Sequence, residues 1–159
     1  MKCLGIDPGT RVAGYGIVKV EGQSVEVVDM GVIRMSPKKG IGERLLTLRS
    51  ELKKVFEEHD PDCVYVERVF VYKSSESALK LKMANAIAHE IAAEYKKPCD
   101  EVSPSSAKKC ATGNGSATKN AVRRSIQRIC RMDSPPLSDA ADAVAIALCG
   151  ASRSSCAMP

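Results

Sequence analysis

The hydrophobic and polar positions along the chain change period several times, and each change predicts a new element. Short runs rich in Val and Ile between turn-prone residues predict strands, and apolar residues spaced alternately by three and four predict amphipathic helices. The predicted strands are 2–7, 13–20, 24–35, 61–67 and 98–103. The predicted helices are 41–58, 74–95, a short turn at 103–109, 117–131 and a last helix within 137–150. The order is therefore βββαβαβααα.

This order predicts an α/β fold with a five-stranded mixed sheet, because a three-stranded meander is followed by alternating strands and helices. The 159 residues favour one domain, expected at 1–151, followed by a short polar tail at 152–159. The helix at 74–95 is apolar over a wide arc. That arc fits either a central core helix or a helix that also meets a second subunit.

The composition indicates a cytoplasmic protein with no membrane partner. Hydrophobic residues make up 44% and charged residues 27% of the chain, as in ordinary globular proteins. No apolar run approaches the ~20 residues of a membrane helix, and the N-terminus lacks the apolar stretch of a secretory signal. The seven cysteines are scattered and form no C-x-x-C pair, which favours reduced, structural thiols.

Positive charge is concentrated in one part of the chain. The net charge is +5, and no Asp or Glu occurs between Lys108 and Arg131. In the predicted helix there, Arg124, Arg128 and Arg131 follow one another at i, i+4 and i+7, on one face. Such a face could bind phosphates, which would steepen the salt dependence of DNA binding. It could equally be a solvated face, and charge alone does not decide between the two.

Four acidic residues stand at the ends of predicted elements. Asp7 closes the first strand and Glu67 the fourth, while Asp139 and Asp142 open the last helix. With Ser138 as the N-cap, Asp139 lies in the first turn and Asp142 one turn further on the same side. Complementing the helix dipole explains Asp139 easily but Asp142 poorly.

If the two strand ends are adjacent and the last helix crosses them, the four carboxylates converge. Two unit charges ~4 Å apart repel by roughly 4 kcal/mol near a protein surface, so such a cluster needs cations. Oxygen donors without His or Cys select magnesium or manganese rather than zinc. Two such ions ~4 Å apart can activate a water and stabilise the leaving oxygen in phosphodiester hydrolysis.

Four stretches of the chain resemble, in order and spacing, the motifs of the RuvC-type Holliday junction resolvases. They are LGIDPGTRVAGYGIV, YVERVFVYKSSESALKL, GNGSATKNAV and SDAADAVAIAL, and the resemblance spans residues 2 to about 150. It implies a ribonuclease H-like fold and a magnesium-dependent, structure-selective endonuclease. It also implies a homodimer that nicks two symmetric strands of a four-way DNA junction, leaves 5′-phosphates, and works with a branch-migration helicase complex.

The resemblance assigns roles to individual residues. It implies that Asp7, Glu67, Asp139 and Asp142 are catalytic and bind two Mg²⁺ ions, for which Mn²⁺ is expected to substitute. Phe70 matches an aromatic residue that stacks on a junction base, and stacking is worth ~1–3 kcal/mol per base. Lys108 and Lys119 match lysines near the scissile phosphate or the DNA backbone. Further candidates for DNA binding are Arg68 and Lys73.

The chain departs from the family pattern in three places. After SALKL, the family usually has G-Q-x-R-G, whereas this chain reads KMANA at 82–86. Thr118 stands where an acid commonly precedes the matching lysine, and Asn114 replaces a bulkier residue between two glycines. These departures put in doubt the contacts that the missing Gly and Arg would make, and the finer junction preference.

Two other functions fit parts of the sequence. An ATP-binding protein of the sugar-kinase and actin class also has a G-I-D-x-G-T loop, but such proteins need two domains and a second phosphate loop. A non-catalytic DNA-binding module of the same fold would be expected to lose at least one of the four acids, and all four are present.

Overall fold

One sheet organises the computed structural model, which describes residues 1–71 and 75–156. Its strands are β1 (Lys2–Asp7), β2 (Val12–Glu21), β3 (Ser24–Arg34), β4 (Cys63–Glu67) and β5 (Cys99–Val102). The helices are α1 (Ile41–His59), α2 (Glu76–Glu94), α3 (Pro104–Thr112), α4 (Lys119–Ile129) and α5 (Ser138–Cys156). The predicted element order is confirmed. Within the described ranges, none of the helices combines the length and hydropathy that crossing a bilayer requires.

The sheet is mixed, as predicted, with strand order β3-β2-β1-β4-β5. The first three strands form an antiparallel meander, and β4 and β5 run parallel to β1. The carboxyl ends of β1, β4 and β5 therefore meet at one edge of the sheet. In the β1–β4 ladder Ile6 pairs with Val66, so Asp7 and Glu67 occupy the next position on neighbouring strands.

Helices cover both faces of the sheet. On one face α5 packs with α3 and α4 around Val144, Ile146 and Ile126, all fully buried. On the other face α1 and α2 enclose a second apolar cluster that includes Leu52 and Phe56. The sheet is therefore buried between two layers, and its edge at the carboxyl ends of the parallel strands is where polar side chains gather.

Helix α5 can lie close to the sheet because two of the facing strand residues are glycines. A Cβ on Gly14 of β2 would overlap the carbonyl oxygen of Asp139, and a Cβ on Gly5 of β1 would overlap that of Ala143. Because these positions are glycines, the first two turns of α5 lie directly against β1 and β2. This approach brings the acidic start of α5 over the end of β1.

The last helix differs from the prediction at both ends. It continues to Cys156, so the polar tail expected from 152 begins as helix; the sequence has no proline between Ser138 and Cys156 to stop it. Gly150 lies inside the helix and does not end it. At this position a Cβ would overlap the Tyr65 ring. At the other end, Ser138 is the first helical residue rather than the N-cap. Its Oγ is buried and has no hydrogen-bond partner among the described residues.

Candidate active site

Three of the four predicted acids line one cavity. Asp7 and Glu67 enter it from the ends of β1 and β4, and Asp142 enters from the second turn of α5. The cavity has a volume of about 220 Å³. Its remaining lining residues are Pro104, Ala107, Lys108, Lys119, Val122 and Ala145. Three of the four carboxylates that were expected to converge therefore do so.

Asp139, the fourth predicted acid, is near this cavity but is not one of its lining residues. It is half-buried in the first turn of α5. Its charge still raises the pKa of both Asp7 and Asp142. The four acids thus form one electrostatic group, in which three members line the cavity and the fourth does not.

Asp7 is the most strongly perturbed of the acids. Burial raises its pKa from 3.8 to about 8, and the charges of Glu67, Asp142 and Asp139 add to the shift. Lys119 opposes it. A pKa raised this far reflects a carboxyl group that is removed from solvent and lies near other negative charges. Such a carboxyl group tends to bind either a proton or a metal ion.

Glu67 and Asp142 are perturbed in the same direction. Burial is the main cause of the raised pKa of each, and the charge of Asp142 adds to the effect on Glu67. Lys119 and Lys108 lower the pKa of both groups. The cavity therefore holds mutually repelling acids that two lysines only partly neutralise.

Two capped helices bring these lysines to the cavity. Lys108 is in the second turn of α3, whose start is fixed by Ser103 as the N-cap and Pro104 in the first turn. Lys119 is the first residue of α4, where the Thr118 side chain accepts a hydrogen bond from the amide of Ala121. Thr118, which stands where the family commonly has an acid, thus places a neutral N-cap beside Lys119.

The donors fit a hard divalent cation. Asp7, Glu67 and Asp142 offer only carboxylate oxygens, which suit Mg²⁺ or Mn²⁺. Across residues 1–71 and 75–156, no three His, Cys, Asp or Glu side chains converge into a preformed metal cage. Burial raises the pKa of each of these carboxyl groups, and the charges of the neighbouring acids add to the rise. A divalent cation would relieve the repulsion among them.

The candidate DNA-contacting residues after β4 lie close to the cavity in sequence but differ in their contacts. The Phe70 side chain is 48% exposed. Arg68 is also half-exposed, and its Nε donates to Oε2 of Glu101 at 3.2 Å. Lys73 lies outside the described residues. Phe70 therefore has the accessibility that base stacking needs, whereas Arg68 already has an anionic partner.

Sequence reasoning missed a polar residue behind Glu67. Asn85 of α2 is 4% exposed, and its Nδ2 donates to the backbone oxygen of Glu67 at 3.0 Å. It lies within KMANA, the segment that departs from the family pattern. An amide between Ala84 and Ala86 was the available signal, because a buried amide requires partners.

A positively charged groove adjoins the active-site cavity along α4. Its volume is about 890 Å³, and Arg124 and Arg128 line it together with polar residues of the 112–120 segment. A neighbouring hollow of about 450 Å³ shares both arginines and adds Arg131. No Asp or Glu lines either space. Val122 and Ile126 are fully buried against α5, so the arginine face of α4 is held outward.

Comparisons with known proteins identify the family of the chain. The family model described as crossover junction endodeoxyribonuclease RuvC matches residues 3–150. The curated protein of that name from Protochlamydia amoebophila is 38% identical over 149 residues, covering 93% of this chain and 89% of the relative. The Thermus thermophilus RuvC structure has a TM-score of 0.84 at 31% identity, covering 98% of this chain and 96% of that one.

A second solved structure is described as T. thermophilus RuvC in complex with Holliday junction substrate. It superposes with a TM-score of 0.86 at 28% identity and covers 99% of this chain and 97% of that one. The ribonuclease H-like fold predicted from the sequence is thereby confirmed. Family match, relatives and fold all point the same way: the chain belongs to the RuvC family, the crossover junction endodeoxyribonucleases that resolve Holliday junctions.

Proposed function

We propose that this chain resolves four-way DNA junctions by paired, symmetric hydrolysis of two phosphodiesters, using Asp7, Glu67, Asp139 and Asp142 as metal ligands. The observation that carries the proposal is the cavity in which three of these carboxylates meet two lysines. The raised pKa of Asp7, about 8, supports a metal role. A carboxyl group kept only for stability would not be placed among three other acids.

Dependence on a divalent metal ion is expected for members of this family. Here the finer proposal is that two Mg²⁺ ions bind at the four acids and that Mn²⁺ can replace them. Such a pair supplies an activated water and stabilises the leaving oxygen. The charges of Glu67, Asp142 and Asp139 all act on Asp7, so Asp7 would hold a metal ion together with them. Asp139 does not line the cavity, but its charge acts on Asp7 and Asp142, so it would complete the ligand set.

The lysines provide positive charge where the phosphate would enter. Lys108 and Lys119 line the cavity beside the acids, and both lower the pKa of Glu67 and Asp142. A cation fixed in a partly dehydrated site stabilises charge that develops on phosphate oxygens. We therefore assign both lysines to binding the scissile phosphate rather than to proton transfer.

Contacts with the rest of the junction would come from surfaces beside the cavity. The arginines of α4 offer a groove free of acids for DNA phosphates. Phe70, half-exposed just past the end of β4, is placed to stack on an unpaired base at the crossover. Arg68 would reach phosphate only by exchanging its bond to Glu101. Lys73 remains a candidate from the sequence.

Paired nicks require two active sites, so we propose that the chain acts as a homodimer. The outer face of α2 supports this. Leu79 and Met83, one turn apart, are 53% and 49% exposed, and Leu81 is also accessible. Exposed apolar side chains of this size on one helix suit a subunit interface. Cooperation with a branch-migration helicase complex is a further proposal, drawn from the family resemblance.

The test is cleavage of a mobile four-way junction compared with a linear duplex of the same sequence, each with Mg²⁺, Mn²⁺ or chelator. We expect junction cutting with either metal, at symmetric positions, and no cutting in chelator. The nicked products should be sealed by DNA ligase without further treatment, because their 5′ ends carry phosphate. Equal cutting of both substrates, or cutting in chelator, would contradict the proposal.

A further inference from the structure

A buried asparagine connects helix α2 to the strand end that carries Glu67. Asn85 is the one polar or charged side chain that is fully buried among the described residues. Its amide nitrogen donates to the backbone oxygen of Glu67 at 3.0 Å and to Oε1 of Glu101 at 3.4 Å. Burying an amide is unfavourable unless its groups are paired, and here the NH₂ group serves two acceptors.

The Glu67 carbonyl is where the regular pairing of β4 ends. Glu67 is the last residue of the strand, and the next amide, of Arg68, donates to the Val102 oxygen at 2.8 Å. The strand is thus held to β5 on one side, and Asn85 holds its final carbonyl from α2. A Glu67 backbone fixed in this way sets the direction in which the side chain leaves the strand.

Glu101 fixes the direction of the Asn85 amide. A carboxylate accepts hydrogen bonds and cannot donate them, so it keeps the NH₂ group, rather than the amide oxygen, turned toward Glu67. Glu101 is itself held by Arg68 Nε at 3.2 Å. Asn85 is therefore hydrogen-bonded to both Glu67 and Glu101. Glu101 is in turn bonded to Arg68, the residue that follows Glu67 in the sequence.

We infer that Asn85 is a positioning residue for Glu67, and that its hydrogen bond to the strand end determines how well the carboxylate cavity holds a divalent ion. This inference rests on the proposed metal role of Glu67. Groups behind a metal ligand set the ligand's orientation, and their loss typically weakens metal binding by ~10–100-fold. Asn85 acts from the protein interior and touches neither metal nor DNA.

The test measures Mn²⁺ binding directly, by calorimetry or electron paramagnetic resonance, in the full chain without DNA. Asn85→Ala suits the helix and removes both hydrogen bonds; we expect Mn²⁺ binding weakened by ~10-fold. Asn85→Asp keeps the size but turns an acceptor toward two acceptors, so its loss should be larger. If Asn85→Asp does not fold, Asn85→Ala alone decides.

Ile91→Val is the matched control, because Ile91 is fully buried on the same helix and its side chain cannot form a hydrogen bond. It should lower the unfolding temperature yet leave Mn²⁺ affinity unchanged. Unchanged affinity in Asn85→Ala, or an equal loss in Ile91→Val, would overturn the inference while leaving the metal site intact. If the unmodified protein binds no Mn²⁺, or if Asp7→Asn leaves its Mn²⁺ binding unchanged, the proposed metal site is wrong. The inference about Asn85 is then wrong as well.

Discussion

The carboxylate cavity and the α4 groove are neighbours with opposite properties. The cavity is small, about 220 Å³, and is lined by three acids whose pKa values burial raises. The groove is about 890 Å³ and carries Arg124 and Arg128. The two meet at the start of α4, where Lys119 lines the cavity and Thr118 and Asn120 line the groove. The difference indicates a division of labour, with chemistry in the buried acidic site and DNA affinity in the open basic one.

The largest expected effect comes from Asp7→Asn, which keeps the side-chain volume and removes a metal ligand. Losing one charge-stabilising group typically costs ~10²–10³ in rate, and cutting should fall by at least that factor. Junction affinity in chelator should stay within about threefold, because binding rests on basic residues. Gel-shift and cleavage assays on the same junction measure both. A collapse of affinity would mean that the two regions do not divide the work.

A smaller loss is expected for Lys119→Gln, at the boundary between the two regions. We expect roughly 10–100-fold slower cutting, because a fixed positive charge beside the phosphate is lost. Lys119 also lowers the pKa of Asp7, Glu67 and Asp142. Without it their pKa values rise further, so the acidic limb of the pH–rate profile should move to higher pH. Lys109→Gln, one residue beyond Lys108 and exposed, is the control and should leave the profile unmoved.

The groove is tested by Arg124→Gln combined with Arg128→Gln. Each phosphate neutralised adds ~0.9 to the slope of log affinity against log salt, so the double variant should show a slope shallower by ~1–2. At saturating junction concentration, its cutting rate should match that of the unmodified protein. Lys19→Gln with Lys96→Gln removes the same charge near the opposite edge of the sheet. An identical change of slope in that control would show a general charge effect instead of a groove.

The smallest effect expected is on stability, and it follows from the pKa of Asp7. In chelator, folded Asp7 keeps its proton up to about pH 8, whereas the unfolded carboxyl group loses it near 3.8. The folded state therefore binds more protons in this range, and its stability falls as pH rises from about 4 to about 8.

Asp7→Asn removes this penalty, so the variant should unfold at a higher temperature than the unmodified protein at pH 8.5 in chelator. A gain of ~1 kcal/mol corresponds to roughly 2–4 °C for a chain of this size. The advantage should shrink at pH 5, where Asp7 is protonated in the folded state. Asp100→Asn, at an exposed position on β5, is the control. An equal advantage at both pH values would contradict the assigned cause.

Much of the cavity could be predicted because it depends on strand ends. Asp7 and Glu67 each close an apolar run, and parallel strands bring their carboxyl ends to one edge. Asp142 stood out because capping did not explain an acid in the second turn of a buried helix. The arginine face of α4 followed from spacing alone. The periodic pattern determines the order of the elements and the faces of the helices, and these match the structure, whereas both ends of α5 do not.

The rest depended on tertiary contacts that no local pattern contains. Asn85 gained its role from the carbonyl of Glu67, a residue 18 positions away. Ser138 had the chemistry of an N-cap, but the helix begins one residue earlier than that role requires. Asp139 lies one helical turn before Asp142, yet only the tertiary structure shows that Asp142 lines the cavity and Asp139 does not.

The most direct test of the central claim is anomalous diffraction from crystals of the protein grown with Mn²⁺. Two Mn²⁺ peaks are expected at the cavity, next to the carboxylates of Asp7, Glu67, Asp139 and Asp142. In crystals of Asp7→Asn both peaks should weaken or disappear. Peaks elsewhere on the surface, with none at the four carboxylates, would contradict the claim that this acidic cavity is the catalytic centre.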